Sequence, residues 1–551
     1  MRQPRFRHLA ARLGAVAVLA VPAFTMGGRP AGPSAADAAG KGGTITVAYS
    51  IDAATFDPAQ SINPPDNGIT TGALFSGLYR INVKGVLTPD IADGLPVVTD
   101  HEKVFTIHLK HGVQFNGPGF TPREVTAQDV VYTIERTLNP KLKPGPSPFQ
   151  GDDEVIAGAA AYVAGKATHV SGVRAVNKYT VRFTLARSLS SFPYTLAYTG
   201  NFLVPKEAVE KAGTDFGTHP VGTGPFMLQQ WVKGQKAVLV RNPLYFVKGL
   251  PYLDGITFEF NVGKQLEVLR WKSGQIDAIG DSSDLPPVTA LQLQNDPTTK
   301  QYVEPSQPSG TTNVLYINNL IPPFNNRLAR EAVAYAINKK QLAKVYRGQA
   351  TLSTQIYPPA VTQHEANFAD YPYNPAKARA LLKQAGYNGT PVEVLVDAGS
   401  SNDPVEAPSV VQDLRTAGFT VKIKSVSDSV AGNLIFTNKG YTIIFGYWSM
   451  DYPDAYDFVV PTYTKDGFDG GLNFSRYLNP KVDALTAQAE ALPFGSARNA
   501  VYAKIQRILV DDVAAVPLFY RLRFNLDGPH VASLGWTPAY SFNEWAYAQR
   551  R

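Results

Sequence analysis

The sequence contains no cysteine. This absence excludes disulfide bonds, thiolate metal sites, a cysteine nucleophile and the attachment of a lipid through a cysteine side chain. Charged residues are also scarce: they make up 18% of the chain against 44% hydrophobic residues, a balance typical of a globular protein. At 551 residues the chain is long enough to form more than one hydrophobic core.

Long apolar runs are missing except near the amino terminus, where residues 13–26 follow four arginines. A stretch of small residues at 34–39 then offers A-x-A cleavage sites. This order predicts a secretory signal over residues 1–39. The apolar run of 14 residues is shorter than the roughly 20 that a permanent membrane span needs. We therefore expect export to a periplasm or the cell surface, without a lipid-bearing cysteine.

The positive charge of the chain lies largely in this leader. The formal net charge is +7, of which the first 39 residues carry +4. A remainder of +3 over some 510 residues gives no reason to expect nucleic acid as a partner, since that function would require a clustered basic face.

Strand-like and helix-like segments alternate along the rest of the chain. Apolar alternation predicts strands at 44–49 and 104–109, and Thr126 is a suitable N-cap for a helix that continues to residue 138. A single helix is predicted over 328–346, and a β-α-β pattern over 392–423. This alternation predicts α/β lobes with mixed sheets, whose ligands usually bind outside strand ends or between domains.

Six short segments, spread in order over almost the whole chain after the leader, carry a family resemblance. They are residues 87–93 (LTPDIAD) with the helix start at 127–132 (AQDVVY), residues 222–226 (GTGPF) with 241–245 (RNPLY), residues 274–277 (GQID), residues 317–319 (INN) with 332–337 (AVAYAI), residues 373–378 (YNPAKA) with 385–387 (AGY), and Trp448 with 451–454 (DYPD). In this order they resemble the oligopeptide-, dipeptide- and nickel-binding family (family 5) of solute-binding proteins of bacterial ABC importers.

The resemblance implies a periplasmic-binding-protein-like α/β fold with two lobes, mixed sheets and a hinge, and a third, smaller inserted domain. Projected onto this sequence, lobe one takes residues 40–77, 191–302 and 519–551, with the insert at 78–190. Lobe two takes residues 303–518. The chain would cross between the lobes near 302 and 518, and closure about these crossings would trap the ligand.

The resemblance also implies the function: capture of short peptides and their delivery to the permease subunits of an ABC transporter. A peptide brings a free ammonium group, which is costly to bury without a carboxylate partner. In the family this carboxylate follows a tryptophan in the second lobe. Asp451 occupies that position here, whereas Asp454 is expected to be a structural turn residue.

Other residues are expected to line the ligand site. Trp448 and Tyr447 would supply flat apolar walls with polar tips. Asn63 and Asn67 lie in a loop that lines the cleft in relatives, and Thr312 and Asn313 lie just past the first crossing. No arginine is marked by a motif as the contact for the ligand's carboxylate.

Several alternatives stay open at this point. Relatives bind oligosaccharides, nickel chelates or other solutes, and Trp448 would suit a sugar, although sugars carry no ammonium group for Asp451. His101, His108 and His111 are interpreted as surface residues, so no metal and no cofactor is expected. A secreted hydrolase is less favoured, because neither a G-x-S-x-G nor an H-E-x-x-H motif occurs. We expect a monomer without catalytic activity.

Overall fold

The structure is a computed structural model that describes residues 41–62, 64–82, 84–282, 285–304, 307–400, 403–437, 441–535 and 544–551. The leader predicted at 1–39 and the candidate residue Asn63 lie outside these residues. Within the described part of the chain, no helix is both long and apolar enough to cross a membrane.

Twenty-one strands occur in the described residues. They are β1 Thr44–Ala48, β2 Tyr79–Ile81, β3 Leu87–Pro89, β4 Val97–Thr99, β5 Val104–His108, β6 Gln114–Phe115, β7 Arg123–Glu124, β8 Val173–Asn177, β9 Thr180–Thr184, β10 Phe226–Val232, β11 Lys236–Arg241, β12 Gly255–Glu259, β13 Ala278–Ile279, β14 Gln307–Ile317, β15 Ala350–Leu352, β16 Val392–Asp397, β17 Val421–Val426, β18 Ile443–Ser449, β19 Ala515–Arg523, β20 Val531–Ser533 and β21 Gln549–Arg550.

Seventeen α-helices occur in the same residues. They are α1 Pro64–Ile69, α2 Ala127–Thr137, α3 Gln150–Asp153, α4 Ala159–Val163, α5 Phe192–Thr195, α6 Lys206–Ala212, α7 Lys264–Lys272, α8 Pro287–Asn295, α9 Arg327–Ala336, α10 Lys339–Ala343, α11 Pro375–Gln384, α12 Asp403–Thr416, α13 Asp428–Phe436, α14 Ala455–Tyr463, α15 Lys465–Asp469, α16 Pro480–Glu490 and α17 Ser496–Asp511.

Two large mixed sheets organise the molecule. The first has the order β10-β11-β12-β1-β13, in which β1 runs parallel to both of its neighbours. The second has the order β15-β19-β14-β18-β16-β17 and combines antiparallel pairs with the parallel pairs β16–β17 and β16–β18. A smaller antiparallel sheet, β4-β5-β9-β8, is formed by residues that lie between β1 and β10 in the chain.

The chain passes between the two large sheets at two adjacent segments. Val303 forms an isolated antiparallel bridge with Leu526. The amide of Glu304 donates to the carbonyl of Asn525 at 3.0 Å, and the amide of Asp527 donates to the carbonyl of Tyr302 at 2.9 Å. The two connections therefore lie side by side as a short two-stranded ribbon. The predicted boundary at 518/519 falls inside β19, a strand of the six-stranded sheet.

Local sequence signals explain the helix ends. Thr126 and Asp129 form the reciprocal capping box at the start of α2, as the predicted N-cap requires. The single helix predicted over 328–346 is wrong, since α9 ends at Ala336 and α10 begins at Lys339. Asn338 breaks it, because its side chain accepts from the amide of Gln341 and so caps a new helix.

The second large sheet has an apolar core on the face covered by α9, α11 and α12. Leu315, Val394 and Val516 from its strands pack in one cluster with Val333 and Val410 of the helices, and all five side chains are buried. Central strands of this kind are continuous apolar runs because both of their faces are covered. The rigid sheet fixes the end of β18, from which the candidate site continues.

Candidate functional site

A cavity of about 900 Å³ lies between two parts of the molecule that are distant in sequence. One wall comes from residues 148–155 and 186–198, which flank the small antiparallel sheet. The other wall comes from residues 448–472, which contain the end of β18 and helix α14. Its size falls in the range of ligand pockets, which run to roughly 300–1,000 Å³.

Asp451 lies in this cavity, two residues beyond the end of β18. Its carboxylate accepts a hydrogen bond at 3.1 Å from the hydroxyl of Tyr198, which lies on the opposite wall. Its own amide donates to the carboxylate of Asp457 at 2.9 Å. Among the described residues no cationic side chain forms an ion pair with Asp451. Asp451 is therefore a carboxylate without a counter-charge from the part of the chain that the structure describes.

The electrostatics of the cavity follow from the acidic side chains around Asp451. Burial raises the pKa of Asp451 to about 6, against a lowering effect of the Tyr198 hydrogen bond. Burial also raises the pKa of Asp457 well above its ordinary value, with a further contribution from neighbouring Asp451. Desolvation between the two walls and the charges of Asp153 and Asp451 raise the pKa of Asp152, although this residue stays open to the solvent of the cavity. A bound cation would relieve this repulsion.

Trp448 and Tyr447 point to opposite sides of β18. Trp448 lines the cavity, and its indole nitrogen donates to the carboxylate of Asp457 at 3.3 Å. Tyr447 is 59% exposed and does not line the cavity. Successive side chains of a strand alternate between faces, so these two residues cannot both face one pocket. The structure brings Trp448 and Asp451 together and leaves Tyr447 outside.

Of the remaining predicted residues, the three that the structure describes do not line the cavity. Asn67 accepts hydrogen bonds from Thr71 at 2.9 Å and from Thr199 at 3.0 Å. Thr312 is buried in β14 and donates to the carbonyl of Ile356 at 2.7 Å. Asn313, on the same strand, is 4% exposed and pairs in register with Tyr447. These three side chains are engaged in or packed into the protein.

Asp454 has the structural role expected for it. It caps α14 by accepting from the amide of Tyr456 at 2.9 Å, and it forms a two-point ion pair with Arg498 at 2.6 and 2.8 Å. The buried guanidinium of Arg498 also contacts Glu490 at 2.5 Å and the hydroxyl of Ser190 at 2.8 Å. This network fixes the first turn of α14 beside the cavity.

Several cavity residues are not predicted as ligand contacts by the sequence. Tyr198 and Tyr452 lie on opposite walls, and Tyr452 stacks on Tyr194 with ring centres 5.2 Å apart. Asp457 follows Asp454 by three residues, a spacing that indicates a helix start and not a ligand contact. Arg187 lies in the loop after β9 and reaches Tyr456 at 3.1 Å. The one sequence feature that could indicate the acidic wall is the pair of aspartates at 152–153, which follows the Pro/Gly-rich connection.

No common metal site is formed by His101, His108 and His111. His108 lies within 3.1 Å of the hydroxyl of Thr180, and His111 stacks on Tyr179. In the described residues no group of three or more histidine, aspartate or glutamate side chains is arranged to hold a metal ion.

Comparisons with known proteins identify the architecture. The sequence profile of "Bacterial extracellular solute-binding proteins, family 5 Middle" matches residues 86–470. Di/tripeptide-binding protein 1 of Pseudomonas aeruginosa is 26% identical over 484 residues, covering 84% of this chain and 86% of the relative. The periplasmic oligopeptide-binding protein OppA of Escherichia coli is 26% identical over 495 residues, covering 87% of each.

A solved structure shares the fold over nearly the whole chain. The periplasmic binding protein DppA of Helicobacter pylori, in complex with the peptide STSA, superposes with a TM-score of 0.77 at 24% identity, covering 94% of this chain and 100% of that one. The predicted two-lobed α/β fold with an inserted smaller domain is confirmed by this likeness.

Proposed function

This chain belongs to family 5 of the bacterial extracellular solute-binding proteins, and we propose that the solute it captures is a short peptide. The relatives in Pseudomonas aeruginosa and Escherichia coli are named as peptide-binding proteins, and the Helicobacter pylori structure holds a peptide. These relatives support a peptide ligand here. They also support delivery of that ligand to the permease subunits of an ABC transporter after export of the chain.

Asp451 is the observation that carries the proposal. Its carboxylate lines the cavity between the two walls, has a raised pKa and forms no ion pair with a described residue. The free ammonium group of a peptide supplies the missing counter-charge and hydrogen-bond donors. Charge-assisted hydrogen bonds of this kind contribute about 1.5–3 kcal/mol. Tyr198 donates a hydrogen bond to this carboxylate from the opposite wall. This contact links ligand binding at Asp451 to closure of the two walls on the ligand.

The other solute classes fit this cavity less well. A neutral oligosaccharide would bring no positive charge to the acidic lining formed by Asp451, Asp457 and Asp152. An anionic nickel chelate would add negative charge to the same place. A ligand with a free ammonium group is the class that compensates the cavity charge, and its binding requires no catalytic step.

The division into lobes is part of the proposal. We assign lobe one to residues 40–77, 191–302 and the segment that follows β19, lobe two to 303–523, and the insert to 78–190. The second boundary is placed after β19 because this strand pairs with β14 and β15 of the six-stranded sheet. The ribbon that joins Val303 to Leu526 is then the hinge.

Calorimetric titration of the ligand-free protein tests the role of Asp451. Asp451→Asn should weaken trialanine binding roughly 10- to 150-fold, the equivalent of about 1.5–3 kcal/mol. The weaker binding of N-acetyl-trialanine should stay the same in both proteins. Asp469→Asn is the matched control, since Asp469 also lines the cavity but already pairs with Lys465 at 2.6 Å. Equal losses for both peptides would remove Asp451 from the amine site.

A further inference from the structure

A peptide brings a carboxylate as well as an ammonium group into the cavity. Six acidic side chains line the cavity, whereas Arg187 is the one cation among its described lining residues. The acidic residues are Asp152, Glu154, Asp451, Asp457, Asp466 and Asp469. A free carboxylate that enters this surface is repelled everywhere except near Arg187. The charge pattern therefore gives the ligand a direction as well as a site.

Arg187 has the donors that this contact needs. It lies three residues beyond the end of β9, and its side chain is 49% exposed. One guanidinium nitrogen donates to the hydroxyl of Tyr456 at 3.1 Å, and the same nitrogen lies 3.6 Å from the carboxylate of Asp466. The contact with Asp466 is long and solvent-exposed, so it contributes little. A guanidinium has five N–H donors, enough for a two-point contact with a second carboxylate.

We propose that Arg187 binds the C-terminal carboxylate of the captured peptide. This inference rests on the proposed function, in which Asp451 binds the amino end. The hydroxyl of Tyr456, on the wall formed by residues 448–472, accepts a hydrogen bond from the guanidinium. The ligand carboxylate replaces Asp466 as the acidic contact of Arg187. The two ends of the ligand thus contact opposite walls. The amino group binds mainly to the second lobe, and the carboxylate binds to the insert.

The spacing of the anchors selects short ligands. Asp451 and Tyr456 are five residues apart in the chain, so their Cα atoms lie within about 18 Å of each other, at roughly 3.6 Å per residue. Arg187 contacts Tyr456 directly. The ligand that spans from Asp451 to Arg187 is therefore a peptide of a few residues, with both termini inside the cavity.

The test compares a short peptide with its C-terminal amide. Trialanine and trialanine amide share the amine and all side chains, so their affinity ratio isolates the carboxylate contact. For the unaltered protein we expect the free acid to bind roughly 10- to 100-fold more tightly, as for a charge-assisted contact. In Arg187→Gln the ratio should fall to about one, because the variant binds trialanine more weakly and binds trialanine amide as tightly as before. Arg187→Lys should restore part of the preference.

Arg182→Gln is the matched control. Arg182 is an exposed cation on β9 that does not line the cavity, so its replacement should leave the ratio unchanged. A merely structural role of Arg187 would weaken acid and amide alike and keep their ratio, which would overturn the proposal. Equal affinity of the unaltered protein for acid and amide would overturn it as well. Absence of binding to either peptide would instead contradict the proposed function.

Discussion

Peptide binding should weaken as the pH falls through the pKa of Asp451. In the free protein this pKa is about 6, whereas a paired ammonium should return it to its ordinary value of 3.8 or lower. Binding therefore releases a proton below pH 6. Between pH 7.5 and pH 5 the affinity for a free-amine peptide should fall by nearly tenfold, or a little under 1.4 kcal/mol, because the ligand's amino group, with an ordinary pKa of about 7.7–8.0, is mostly protonated over this range.

Isothermal titration at the two pH values measures this effect. The calorimetric heat in buffers of different ionisation enthalpy should also report the released proton at pH 5. Asp451→Asn and N-acetylated peptide should each give a much flatter profile, since either change removes the carboxylate–ammonium pair. An unaltered protein that binds equally at pH 5 and pH 7.5, or a loss of the same size in Asp451→Asn, would refute the reasoning.

Two further predictions concern the walls of the site. Arg498→Met should lower the free energy of unfolding by about 3–5 kcal/mol in urea titrations, because it leaves two buried carboxylates without a cation. The control is Lys504→Met, an exposed position on the same helix, which should change the free energy of unfolding by less than about 0.5 kcal/mol. A loss below 1 kcal/mol for Arg498→Met would contradict the assigned network. Trp448→Ala should weaken peptide binding about tenfold in calorimetry, and Tyr447→Ala by less than twofold, since only the indole lines the cavity. Equal effects would mean that the alternation along β18 does not decide contact with the ligand.

Part of the molecule follows from local sequence signals. Thr126 and Asp129 stand at the spacing of a capping box, and this local chemistry marks the start of α2 in the structure. Motif resemblance predicts the two lobes, since periodicity alone predicts α/β elements without their connection. Asp451 was placed by its position after Trp448, and the structure brings both residues to one cavity.

Other features depend on residues that only the fold brings together. Tyr198 precedes Asp451 by 253 positions, and Arg187 precedes its contact Tyr456 by 269. No periodicity or spacing connects such pairs. The outward position of Tyr447 has a different cause: β18 continues through Ser449, so alternation along this strand turns the side chain away from the cavity.

The central claim is that the cavity captures short peptides through their charged amino end. Titration of the ligand-free protein with trialanine, a malto-oligosaccharide and a nickel chelate at pH 7.5 tests it most directly. The account predicts saturable one-to-one binding and thermal stabilisation with trialanine, as mass action requires, and neither effect with the other two solutes. Saturable binding of the sugar or the chelate, with no response to peptide, would contradict it.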